Sequence, residues 1–122
     1  MIIVDTSVWI DHLHKAVPLL GDTLENGDVA THPFVIGEIA CGEIARRQEV
    51  LTLLSTLPSA VVATDEEALH FIEHYRLMGK GIGYIDAHLL ASAMLTNGAT
   101  LWTRDKRLNA IATKLQIEFA SA

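Results

Sequence analysis

Apolar residues in this chain fall either in short unbroken runs or at intervals of three and four, the signatures of buried strands and amphipathic helices. Ile2, Ile3 and Val4 make the first run, and Asp5, Thr6 and Ser7 close it. A run without polar alternation predicts a strand covered on both faces, as in a parallel sheet. Thr6 or Ser7 can cap the helix that follows, where Trp9, Ile10 and Leu13 keep helical spacing. Pro18 opens a second helix, which carries Leu19, Leu20 and Leu24 and ends at Asn26-Gly27. Asp28 to Thr31 predicts a short strand. Pro33 then starts a helix through Phe34, Ile36, Ile39 and Ile44, with Glu38 among its apolar positions.

Further along, Arg46 to Leu57 predicts a helix stopped before Pro58, and Ala60 to Ala63 a short β run. Three acids, Asp65 to Glu67, suit the first turn of a helix that runs through Leu69, Ile72, Tyr75 and Met78. Leu69, Ile72 and Tyr75 should form its buried face. Gly79, Gly81 and Gly83 end it in a loop. Tyr84 to Leu95 predicts a strongly apolar helix, with Asp86 in its first turn and Asn97-Gly98 at its close. Thr100 to Thr103 is a strand, Arg104 to Leu115 a basic helix and Ile117 to Phe119 a last strand. Strands alternate with helices, so the class is α/β with a mainly parallel sheet.

The length, 122 residues, supports a single domain with a substantial core. Half of the residues are hydrophobic, which implies that part of the surface is covered, with a homodimer as the simplest expectation. A formal charge of −6 excludes a protein that holds nucleic acid by being basic overall. Local charge still allows a basic rim, because Arg104, Lys106 and Arg107 surround Asp105. The single cysteine, Cys41, excludes an intrachain disulfide, fits a reducing compartment and reads as a buried structural thiol. No basic leader precedes the first apolar run and no segment is long enough to span a membrane, so a cytoplasmic protein is expected.

Several constellations carry candidate chemistry. Gly79-Lys80-Gly81-Ile82-Gly83 follows a helix and lacks phosphate-loop spacing, so it reads as a loop. His70, Glu73 and His74 match H-x-x-E-H, the inverted zinc-hydrolase motif, although histidines one turn apart are common on the polar face of a helix. Trp9 and Trp102 read as core, and Tyr84 as a packing residue. Four acids stand apart: Asp5 at a strand end, Glu38 in a helix, Asp86 in a first turn and Asp105 just past a strand. Each alone reads as a cap or a solvated charge. In a parallel sheet, however, Asp5 and Asp105 reach the same edge, and the helices bearing Glu38 and Asp86 can lean over it. Four converging carboxylates need a hard cation, Mg²⁺ or Mn²⁺, and such a site suits phosphoryl chemistry.

Val4-Asp5-Thr6-Ser7-Val8-Trp9-Ile10-Asp11, Gly37-Glu38-Ile39-Ala40-Cys41-Gly42, Tyr84-Ile85-Asp86-Ala87-His88-Leu89-Leu90-Ala91 and Thr103-Arg104-Asp105 resemble, in order and spacing, the four acidic motifs of PIN-domain ribonucleases. The VapC toxins of bacterial toxin-antitoxin pairs are the nearest in pattern. The resemblance covers essentially the whole chain, residues 1–122. It implies a PIN-like fold, a central mainly parallel sheet flanked by helices on both faces. It also implies a Mg²⁺-dependent endoribonuclease whose metal carboxylates are Asp5, Glu38, Asp86 and Asp105, assisted by the hydroxyls of Thr6 and Thr103. The implied partners are a second copy, an RNA substrate and a VapB-type antitoxin that alone contacts DNA. Many relatives carry a further acid just after the fourth motif, where this chain has Lys106, Arg107 and Leu108. The resemblance therefore supplies one metal better than two, and Arg104, Lys106 and Arg107 become candidate RNA contacts. A catalytically silent PIN-like binding module and a zinc hydrolase are the alternatives.

Overall fold

Ile2, Ile3 and Val4 form the middle strand of the sheet in the computed structural model, which describes residues 1–120. All three side chains of this strand, β1 (Ile2–Val4), are buried. Successive strand residues point to opposite faces, so both faces of the sheet are covered. On one side β1 pairs in parallel with β2 (Val29–Ala30), in the register Ile2 to Val29. On the other it pairs in parallel with β3 (Thr100–Trp102), in the register Val4 to Trp102. The order β2-β1-β3 places the earliest strand at the centre and leads neighbouring carboxyl ends to one edge.

The helices start and stop largely where local chemistry directs. α1 (Thr6–His14) follows β1 directly, and α2 (Pro18–Glu25) begins at a proline. α3 (Pro33–Cys41) also begins at a proline and is capped by His32, whose Nδ1 accepts the Phe34 N–H at 3.1 Å. α4 spans Arg47–Thr56. α5 (Asp65–Tyr75) has a full capping box between Thr64 and Glu67. α6 (Tyr84–Leu95) buries every residue from Ala87 to Ala93 and is the central helix of the domain. α7 (Lys106–Lys114) is capped by Asp105. The fold is therefore α/β around a parallel sheet, as expected. Trp9 and Trp102 belong to the core.

Several expectations fail locally, each for a visible reason. Ala60 to Ala63 forms no strand. Only Ser59 bridges to Thr31, and the N–H groups of Val61 and Ala63 go to the hydroxyls of Thr96, the C-cap of α6, and of Ser92 within that helix. Ile117 to Phe119 shrinks to one bridge, Glu118 to Leu101, flanked by a hydrogen bond on either side. α3 stops at Cys41, short of Ile44, and the thiol of Cys41 is exposed rather than buried. α5 ends at Tyr75 because Arg76 turns left-handed, at φ 52°, and lets the Leu77 N–H reach back to the Ile72 carbonyl. Its buried face is set by Ala68 and Phe71, while Leu69 is 57% exposed. α7 begins two residues later than expected, since Asp105 serves as its cap. Among the described residues, no helix is long and apolar enough to cross a membrane.

Candidate carboxylate site

Asp5 leaves the carboxyl end of β1 at the N-cap position of α1, yet its side chain makes no capping bond. Its Oδ2 instead accepts two hydroxyls at 2.7 Å, from Ser7 and from Thr103. Each hydroxyl has one proton to donate, so both are committed to Asp5. Each also accepts one backbone N–H at 3.1 Å: Ser7 Oγ from Arg104, and Thr103 Oγ1 from Asp105. Two adjacent strand ends are thereby tied together through a buried acid, which is 6% exposed. Neither Thr6 nor Ser7 caps α1.

The other three acids are fixed in the same manner. Thr6 Oγ1 donates to Glu38 Oε1 at 2.7 Å, linking α1 to α3. The Gly83 N–H donates to Asp86 Oδ2 at 3.2 Å in the first turn of α6. The N–H groups of Arg107 and Leu108 donate to Asp105 Oδ1 at 2.9 and 3.1 Å. Among the described residues, each acid thus spends one oxygen on its own placement and keeps the other without a protein donor. None of the four is in a salt bridge with Lys or Arg; Arg104 pairs with Asp11 at 3.1 Å instead, and both partners are about half exposed. An exposed pair of that kind adds little stability.

The four acids also act on one another through charge. The Asp86 carboxyl is pushed above the usual carboxylate range, first by burial and then by the negative charges of Asp5, Asp105 and Glu38, against the pull of the Gly83 N–H. One carboxyl therefore feels all three others. As their side chains stand, no three His, Cys, Asp or Glu groups among the described residues are arranged to hold a metal ion. That statement covers the acids and the H-x-x-E-H segment alike. His70 and His74 stack with ring centroids 5.9 Å apart on an exposed face of α5, where no third ligand joins them among the described residues.

A model of the PIN domain matches residues 2–114. The chain belongs to the PIN-domain family. Curated relatives named Ribonuclease VapC32, from Mycobacterium tuberculosis strains CDC 1551 / Oshkosh and ATCC 25618 / H37Rv, are 46% identical over 120 residues. The match covers 98% of this chain and 97% of theirs.

Of the residues singled out from sequence, this PIN domain brings together Asp5, Glu38, Asp86, Asp105, Thr6 and Thr103. Arg104 is drawn toward Asp11, and Arg107 lies against Gly81, where a Cβ would stand 2.6 Å from the arginine Cδ. Lys106 is exposed. Ser7, expected from sequence as a helix-starting hydroxyl, joins them by bonding back to the Asp5 carboxylate from two residues away. A second network behind α6 was missed. His88, 1% exposed, shares Asp65 Oδ1 with the Tyr84 hydroxyl, at 3.0 and 2.8 Å. Tyr84 is thus a half-exposed, hydrogen-bonded residue rather than a packing one. His32, fully buried, meets Ser92 Oγ at 2.9 Å; burial and the nearby His88 push its imidazole down to about 4.

Proposed function

We propose that this PIN domain is an endoribonuclease that uses Mg²⁺ or Mn²⁺ held by Asp5, Glu38, Asp86 and Asp105, and that it is the toxin of a VapBC-type pair. The observation that carries the reading is the set of four acids, each held through one oxygen by a hydroxyl or a backbone N–H and left with the other oxygen free of protein donors among the described residues. Its setting supports a nuclease, because the chain is 46% identical to relatives named as ribonucleases. The donor set fits a hard divalent cation: every group is an oxygen, and each acid has one oxygen in reserve. When bound, such an ion supplies a more acidic water and neutralises phosphate charge.

The chain's own residues do the positioning. Ser7 and Thr103 hold one oxygen of Asp5 and leave the other without a protein donor, and Thr6 does the same for Glu38. The N-terminal N–H groups of α7 fix Asp105, so the helix end that orients this acid also offsets part of its charge. A homodimer is supported by apolar side chains left uncovered on α5 and α6, including Leu69, Met94 and Leu95. A VapB-type antitoxin would account for any DNA contact that this acidic chain is poorly suited to make.

Purified protein should cleave single-stranded RNA with Mg²⁺ or Mn²⁺ and stop on addition of EDTA. Asp5→Asn should abolish cleavage, weaken Mn²⁺ binding in calorimetry and relieve growth arrest on expression. Cleavage indifferent to EDTA, or retained by Asp5→Asn, refutes the metal reading. Growth arrest that the product of an adjacent small gene fails to relieve refutes the pairing.

A further inference from the structure

A groove of about 730 Å³ lies among the C-terminal end of α5, the turn after it and α7, and four cations line it: Arg76, Lys80, Arg107 and Lys114. These are four of the chain's nine Lys and Arg residues, in a protein of net charge −6, and no acid lines the groove. Among the described residues, none of the four is paired with a carboxylate. On α7, Arg107, Ala110, Ile111 and Lys114 share one face. Its two cations are two turns apart, roughly 10 Å along the helix. Arg76 holds a left-handed backbone, where glycine is the inexpensive residue, and so occupies the groove at some conformational cost. Tyr75, 36% exposed, adds an aromatic ring.

The groove's two walls continue in sequence into the segments that hold two of the acids. Its α7 wall begins at Asp105, the cap of that helix. Its other wall continues from Lys80 through Gly81, against which Arg107 rests, to Gly83, whose N–H holds Asp86. We propose that this groove binds the phosphate backbone of single-stranded RNA and feeds it to the carboxylate site. The inference rests on the ribonuclease reading and extends it to a strand path. Spaced cations beside an aromatic ring suit a nucleic-acid strand, which offers a charge at every residue and bases able to stack. RNA as the occupant also links the groove to the acids of the neighbouring segments through one substrate, which an acidic peptide does not.

The test uses the full chain carrying Asp5→Asn, with binding of a 20-nucleotide single-stranded RNA followed by fluorescence anisotropy across a salt series. Adding Arg76→Ala, Lys80→Ala and Lys114→Ala should weaken binding at least tenfold at low salt. It should also lower the slope of log K against log salt by about 2, three phosphate contacts at roughly 0.7 each. The exchange Arg76→Lys, Lys80→Arg, Lys114→Arg should keep the slope. All three side chains are exposed, so thermal melts of the variants should match the parent. If the parent binds RNA and the alanine variant keeps its slope, the groove assignment fails while the ribonuclease reading stands. Loss of poly-glutamate binding in that variant, with the RNA slope intact, overturns it in favour of an acidic protein partner. A parent that binds no RNA, beside a wild type that cuts none, overturns both.

Discussion

Replacing Thr103 by valine keeps the shape of the side chain and removes one oxygen, and that oxygen joins two strand ends. Thr103 Oγ1 donates to the buried Asp5 carboxylate at 2.7 Å and accepts the Asp105 N–H at 3.1 Å. A hydrogen bond to a charged group is worth about 1.5 to 3 kcal/mol, and leaving the part-buried N–H unpaired costs about 1 more. Ser7 still donates to Asp5, which keeps the loss near the lower half of the range. A net destabilisation of about 2.5 to 3 kcal/mol follows, or roughly 10 to 12 °C in Tm for a domain of this size. Thr103→Ser keeps the hydroxyl and loses a methyl group, worth about 1 kcal/mol or less. The assay is a paired melt of the metal-free proteins, followed by RNA cleavage at a temperature where both variants are folded. Thr103→Val should cleave at least tenfold more slowly than Thr103→Ser, because Asp5 and Asp105 lose their shared anchor. A valine variant that melts within a degree of wild type and cleaves as fast would refute the claim that this hydroxyl positions the acids.

Two further outcomes follow from charge. Asp86 carries a raised carboxyl, so its ionised form opposes folding above that value, and the penalty fades as pH falls through it. Asp86→Asn should therefore raise the Tm of metal-free protein at neutral pH, by less in mild acid, while lowering Mn²⁺ affinity; an unchanged or lower Tm at pH 7 would count against the converging charges. His32 behaves in the opposite sense: its folded value, about 4, lies below the ordinary 6.5, so its contribution is complete above pH 6.5 and is lost as pH falls toward 4. The loss amounts to about 3 kcal/mol across that window. NMR titration of the His32 ring should give a midpoint near 4, and a midpoint near 6.5 would show that the site is open to water.

The middle of the fold was readable because its signals are local. Ile2 to Val4 form an unbroken apolar run, prolines open α2 and α3, and Asn-Gly pairs follow α2 and α6. Signals failed where tertiary partners replaced local ones. Extended residues 60–63 look like a strand, but the side chains of Ser92 and Thr96 take the N–H groups that a neighbouring strand would have taken. α5 stops at an arginine that adopts the conformation expected of glycine. Its buried face was misread because small Ala68 outranks Leu69 in burial, which periodicity weighted by hydrophobicity does not anticipate. The basic groove was invisible for a simpler reason. Its cations come from a helix end, a glycine loop and a distant helix, and only folding assembles them.

For each acid, the choice between helix cap and metal ligand dissolves once its two oxygens are treated separately. Asp105 is a true cap through Oδ1, and Oδ2 is left without a protein donor among the described residues. Asp86 repeats the pattern with the Gly83 N–H, and Glu38 with the Thr6 hydroxyl. Asp5 departs from it. Placed where a cap belongs, it makes no capping bond and takes two side-chain hydroxyls instead. The reason is position: it is the most buried of the four and sits where β1 runs into α1 beside the end of β3, so its two hydroxyl partners tie the turn after β1 to the turn after β3. Ordinary capping chemistry thus fixes the outer acids, and a dedicated pair of hydroxyls fixes the inner one. Burial first, and then the charges of the other three acids, raise Asp86, so on the proposed reading a bound cation would recover stability that the metal-free protein gives up.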